Sequence, residues 1–204
     1  MRRTSHVASL IFACLPIAAG CSGRPARVVA PRIDPAAVTE AVFQTADEDR
    51  DGGLRGGEQR TVPAIAAAAE RLDGDADGAV SREELSRWLT AVRDARIAIT
   101  RFEMTISQRR RPLANARVRL VPEPFMGGEV QAAEGTTDAD GAVLVTIPGA
   151  KYQGVNCGLY RVTITGTGND GKPLGERFAG ASTLGVAVGA GLPETAVVLD
   201  LPAE

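Results

Sequence analysis

The chain has 204 residues, of which 44% are hydrophobic, 24% are charged and only 4% are aromatic. This composition is typical of globular proteins and excludes a wholly disordered chain. The net charge is −2, so the chain lacks the basic surface that nucleic-acid binding requires, and no nucleic acid is expected as a partner. The charge is uneven, however: residues 34–94 contain 14 acidic and 7 basic residues, whereas residues 95–204 contain 11 of each.

The first residues have the features of a secretory signal. Arg2 and Arg3 precede an apolar run over residues 7–19, which is too short to span a bilayer. The run ends in Ala-Ala-Gly-Cys at residues 18–21, which resembles the lipobox of bacterial lipoproteins. The resemblance implies a signal peptide over residues 1–20, a lipid on Cys21 and a tether over residues 21–33. The alternative is an ordinary signal peptide cleaved before a chance cysteine.

Lipidation would determine where the protein resides and which chemistry remains open to it. The resemblance implies a lipid-anchored protein of the bacterial cell envelope, on the outer membrane and facing the periplasm or the surface. Cleavage would remove His6, the only histidine, and leave Cys157 as the only free thiol. The mature chain would then lack the acid, base and nucleophile groupings of common enzymes, so we expect no enzymatic activity.

The acidic region contains two twelve-residue segments with the same spacing of acidic residues. The segments span residues 47–58 and 73–84, and each has aspartate at positions one, three and five, glycine at six and glutamate at twelve. This is the spacing of the EF-hand calcium loop. The predicted ligands are Asp47, Asp49, Asp51, Gly53 and Glu58 in the first segment, and Asp73, Asp75, Asp77, Ala79, Ser81 and Glu84 in the second. We therefore expect two Ca²⁺ ions.

Each position in the two segments has a chemical reason. Alternate carboxylates converge on one ion, the glycine at position six takes a sharp turn, and Gly53 and Ala79 offer their carbonyls. Ser81 lies at position nine, where a water often bridges to the ion. Carboxylate and carbonyl oxygens favour calcium, whereas zinc is disfavoured because the mature chain would have no histidine. The alternative is a degenerate pair of loops that folds but binds weakly.

Helices are predicted on both sides of the two segments. Asp34 and Pro35 form a helix start, and a second helix begins within residues 81–84 and carries an apolar stripe at Leu85, Trp88, Leu89 and Val92. One helix over residues 63–72 is expected to join the segments, with Leu54 and Val80 as partners between them. Arg55 at position nine weakens the first segment, so the second is expected to bind more tightly.

The pattern changes to alternation after about residue 95, which predicts strands separated by glycine and proline turns. The predicted strands are 97–106, 116–121, 142–147, 160–165, 184–188 and 196–201. Residues 111–118, 136–141 and 158–164 resemble the carboxypeptidase regulatory-like, or transthyretin-like, β-sandwich of bacterial lipoproteins. The whole chain is thus predicted to be multidomain α plus β. A helical EF-hand pair over residues 34–95 would precede an antiparallel β-sandwich over residues 96–204.

Two functions are compatible with these patterns. In the first, the protein binds calcium for a mainly structural role. In the second, the β-sandwich binds an envelope glycan or a partner protein, and the calcium loops serve as a rigid spacer. Phe125, Tyr152 and Phe178 lie in predicted loops. A cluster of these aromatic residues on one rim would favour the second function, whereas their burial would favour the first.

Overall fold

The computed structural model describes residues 28–192 and 196–202. Within these residues the chain forms four α-helices: α1 (Pro35–Ala46), α2 (Gly57–Thr61), α3 (Pro63–Leu72) and α4 (Arg82–Ala95). The ten strands are β1 (Gly53–Leu54), β2 (Val80–Ser81), β3 (Glu103–Gln108), β4 (Arg111–Pro112), β5 (Arg117–Pro122), β6 (Ala133–Thr136), β7 (Ala142–Leu144), β8 (Gly158–Thr165), β9 (Leu184–Val188) and β10 (Val197–Leu201). Two 3₁₀ turns lie at Pro124–Met126 and Glu176–Phe178.

The helix starts follow from local hydrogen bonds. The Asp34 carboxylate accepts the backbone N–H groups of Ala36 and Ala37 at 3.1 and 3.2 Å, which caps α1. Ser81 and Glu84 form a reciprocal capping box at the start of α4. Both predicted helix starts are confirmed, as are the bounds of α3.

The strands form three sheets. β1 and β2 form a short antiparallel pair. The second sheet has the order β10-β3-β4, with β7 also paired to β3, and the third has the order β6-β5-β8-β9. All pairs are antiparallel except β10 with β3, which run parallel.

The predicted fold class is wrong. The described chain is mostly β, with several sheets and only four short helices, and a separate helical EF-hand pair at the N-terminus is not seen among the described residues. The parallel pairing of β10 with β3 also means that the second sheet is mixed rather than antiparallel. The physical reason is that short helices have little apolar surface to bury on one another: α2 has five residues and none of them is buried.

Helix α3 buries its apolar surface on the third sheet. α3 packs against β9 and β8, and α1 packs against α4. Gly185 of β9 permits a close approach, because a Cβ there would overlap the backbone of Pro63 and Ala64. The indole N–H of Trp88 on α4 donates to the Gly189 carbonyl at 3.1 Å. As a result, the buried side chains of the helices and of both larger sheets belong to one hydrophobic core.

The strand predictions are partly confirmed. Each predicted strand overlaps an observed one, but β3 begins at Glu103 rather than at residue 97. The sequence pattern does not predict strand β6, because its sequence Ala-Glu-Gly-Thr has little intrinsic β-propensity. Backbone pairing with β5 nevertheless holds it in the sheet.

Candidate functional site

The two acidic segments lie side by side. We call residues 47–58 loop I and residues 73–84 loop II. The β1–β2 pair joins them, with Leu54 opposite Val80 as predicted, and both of these side chains are fully buried. Gly52 and Gly78 have φ values of +85° and +84°, the sharp turn expected at position six. The pairing therefore fixes the two loops relative to each other.

In loop I, three of the predicted ligands converge. Carboxylate oxygens of Asp47, Asp49 and Glu58 all lie within 4.8 Å of one another. Glu58 lies across the loop, where its Oε1 accepts the Glu48 N–H at 2.9 Å and its Oε2 accepts the Arg55 N–H at 3.0 Å. These backbone hydrogen bonds close the loop around the three carboxylates.

Asp47 is the most unusual member of this group. Its side chain is only 3% exposed, yet its Oδ1 has no hydrogen-bond partner. Its Oδ2 accepts the Gly52 N–H at 3.3 Å and lies 3.9 Å from Nη2 of Arg82. A buried carboxylate oxygen without a donor is costly unless a cation or another donor satisfies it.

Loop II repeats the arrangement. Carboxylate oxygens of Asp73, Asp75 and Glu84 lie within 4.8 Å of one another. Glu84 is buried and accepts the Gly74 N–H at 2.6 Å. Its other oxygen accepts both the N–H and the hydroxyl of Ser81 at 2.8 Å, so that hydroxyl contacts a carboxylate of the group.

The two glutamates are held in their charged form. The Arg55 N–H lowers the pKa of Glu58, and the N–H groups of Glu48 and Asp49 add to this effect. For Glu84, burial by itself would raise the pKa. The hydrogen bonds from Ser81 and the Gly74 N–H outweigh burial, so the pKa of Glu84 is lowered overall.

The third aspartate of each loop does not join its group. Asp51 Oδ1 accepts the Gly53 N–H and Asp77 Oδ1 accepts the Ala79 N–H, both at 2.8 Å. The Oδ2 atoms of both aspartates contact the guanidinium of Arg55. The structure thus brings together three of the predicted carboxylates in each loop. The other two, Asp51 and Asp77, contact Arg55 instead.

Sequence reasoning did not find Arg82 as part of this region. Its Nη1 donates to Glu40 at 2.7 Å, its Nη2 faces Asp47, and its guanidinium lies 4.5 Å from the centre of the Phe43 ring. Arg82 therefore links the start of α4 to α1. No motif signals this role, because the contacts join residues about forty positions apart.

The aromatic residues proposed as a binding rim do not form one. Phe178 is buried and Phe125 packs partly buried against the core, whereas Tyr152 is 53% exposed and lies beside Lys151. These three residues therefore present one exposed ring rather than a platform.

Cys157 is also buried, which raises the pKa of its thiol.

Cys21 and the predicted signal peptide lie outside the described residues. Among residues 28–192 and 196–202, no helix is long and apolar enough to cross a membrane. Comparisons with protein-family models, with curated proteins and with solved structures found no match for this chain.

Proposed function

We propose that the protein binds two calcium ions, one in each acidic loop, for a mainly structural role. The observation that carries the proposal is Asp47. Its Oδ1 is buried and has no donor, and its carboxylate belongs to a group with two further carboxylates. A cation at this point would satisfy that oxygen and offset the repulsion among the three carboxylates.

The donor atoms favour calcium over other metals. Every member of the two groups is a carboxylate, and hard oxygen donors suit calcium or magnesium rather than zinc. Calcium accepts the larger and less regular ligand sets that a loop provides, whereas magnesium requires strict octahedral geometry. The lowered pKa values of Glu58 and Glu84 keep both groups charged for such an ion.

A structural role follows from what the loops connect. Loop I joins α1 to α2, and loop II joins α3 to α4. An ion that stabilises the folded loops but not the unfolded chain adds its binding free energy to stability. Calcium sensors instead expose a methionine-rich groove, and the described methionines, Met104 and Met126, are both buried.

We also propose that the protein acts in the bacterial cell envelope. A lipid on Cys21 would anchor the protein in the bacterial envelope, on the outer membrane and facing the periplasm or the surface. Calcium is abundant outside cells, and extracellular sites of this chemistry bind with dissociation constants of about 10⁻⁴–10⁻³ M. The loops would then be occupied wherever the surrounding calcium concentration exceeds these values.

Calorimetry tests the proposal directly. Calcium is titrated into the protein purified in detergent, and into Asp47→Ala and Asp73→Ala. We expect two ions for the parent protein and one for each variant. Glu48→Ala and Glu83→Ala are matched controls, because each removes an exposed carboxylate from the same loop but outside the converging group.

The controls should retain two ions. Absence of binding heat, together with no rise in melting temperature on adding calcium, would refute the proposal. An equal loss of binding in the Glu48→Ala control would show that overall charge, rather than the converging group, attracts the ion.

A further inference from the structure

One guanidinium contacts both loops. Nη1 of Arg55 lies 2.5 Å from Asp51 Oδ2 in loop I, and Nη2 lies 3.4 Å from Asp77 Oδ2 in loop II. Asp51 and Asp77 occupy the same position in the two loops, the fifth of twelve. The arginine therefore joins equivalent carboxylates across the β1–β2 pair.

The backbone around Arg55 makes room for this bridge. A Cβ on Gly53 would lie 3.0 Å from Arg55 Nη1 and 3.3 Å from the Ala79 side chain. Most residues at position 53 would thus crowd the guanidinium. The absence of a side chain at Gly53 leaves space for the arginine to reach loop II.

The bridge explains why Asp51 and Asp77 stand apart from the converging groups. In each, Oδ1 accepts a backbone N–H of its own loop, and Oδ2 faces the arginine. A divalent ion that recruits either aspartate must compete with the guanidinium for it, because both cations need the same carboxylate. The buried and unpartnered Asp47 Oδ1 is a separate observation that does not depend on this bridge, and it supports a cation in loop I.

We propose that Arg55 couples the two loops by acting as a built-in competitor for their calcium ions. The inference rests on the proposed calcium function. The first ion that recruits Asp51 must displace the guanidinium, which is held by both aspartates, so this ion binds with reduced affinity. Once the shorter contact with Asp51 is broken, the contact at 3.4 Å with Asp77 holds the arginine less firmly. The second ion then meets less competition, so binding is cooperative.

The test compares stepwise calcium binding constants from calorimetry for the parent protein, Arg55→Gln, Arg55→Lys and Arg50→Gln. Arg50→Gln is the matched control, since it removes the same charge from an exposed position in loop I. In Arg55→Gln we expect the first constant to rise about two- to fivefold, as for a partly exposed ion pair, and the cooperativity to disappear. Arg55→Lys should also lose cooperativity, because a single ammonium lacks the fork that spans two carboxylates.

Two outcomes would overturn the coupling role of Arg55, and only one of them also overturns the calcium function. If the parent protein binds two ions but Arg55→Gln behaves like Arg50→Gln, the coupling role is wrong and the calcium function stands. If the parent protein binds no ion, the calcium function and the coupling role fall together. Far-ultraviolet circular dichroism and Trp88 fluorescence of each variant verify that it is folded before calcium is added.

Discussion

Gly185→Ala tests whether the helices and the third sheet share one core. The added Cβ would overlap the backbone carbonyl group of Pro63 and the amide nitrogen of Ala64 at the start of α3. Because the obstacle is backbone, no side-chain rotation can relieve it. The helix must move away from β9 by on the order of 1 Å to restore a carbon–carbon contact of about 3.5–4 Å.

That movement sets the size of the effect. Overpacking a core costs about 1–3 kcal/mol, and a clash with backbone lies at the upper end of this range. Ile65 and Ala68 of α3 are buried in the same core and would lose contact as the helix moves. We therefore expect a loss of about 3 kcal/mol in the free energy of unfolding, against a total of about 5–15 kcal/mol for a typical protein.

Urea unfolding followed by Trp88 fluorescence measures this loss. Trp88 is the only tryptophan, and its indole contacts Gly189, one residue beyond β9, so its signal reports on the helix–sheet contact. Gly128→Ala is the control, since a Cβ there would meet no atom within 4 Å. A loss below about 1 kcal/mol for Gly185→Ala would refute the reasoning on packing. Two separate unfolding transitions in the parent protein would contradict the shared core.

Three further predictions concern buried groups in the β region. Burial raises the pKa of Glu123, and Arg161 at 3.7 Å only partly offsets this, so the folded state holds the proton more tightly than the unfolded state. The free energy of unfolding should therefore fall as pH rises from the unfolded pKa of about 4.3 through the pKa of the folded protein. For the same reason, Glu123→Gln should be more stable relative to the parent protein at pH 7 than at pH 4. The Tyr160 hydroxyl donates to the Asn156 carbonyl at 2.9 Å, so Tyr160→Phe should lose about 1–2 kcal/mol in thermal unfolding. Cys157 is buried with a raised thiol pKa, so a thiol reagent should modify it only after unfolding, as located by peptide mass spectrometry.

Each of these predictions has an outcome that would contradict it. An identical stability difference at both pH values would show that Glu123 ionises normally in the folded protein. Tyr152→Phe changes an exposed ring and should alter stability by less than about 0.5 kcal/mol. If Tyr160→Phe has an equally small effect, the hydrogen bond of the Tyr160 hydroxyl does not stabilise the folded protein. Rapid modification of Cys157 in native protein would show that its surroundings open readily.

Local sequence determined the features that depend on hydrogen bonds over a few residues. The cap at Asp34, the capping box at Ser81 and Glu84, and the left-handed turns at Gly52 and Gly78 were all predictable. In each case the interacting groups are within about five positions, so the spacing of residue types is sufficient evidence. The alternating strands were located for the same reason, although their ends were not.

The fold class and the inner geometry of the loops depended on the tertiary structure. The packing of α3 on β9, the parallel pairing of β10 with β3, and the bridge from Arg55 to Asp77 join residues that are far apart in the chain. The near-complete burial of the Asp47 side chain is likewise a feature of the folded structure. Such contacts form because distant apolar and charged surfaces fit together in three dimensions, and the spacing of residues within one segment carries no information about that fit.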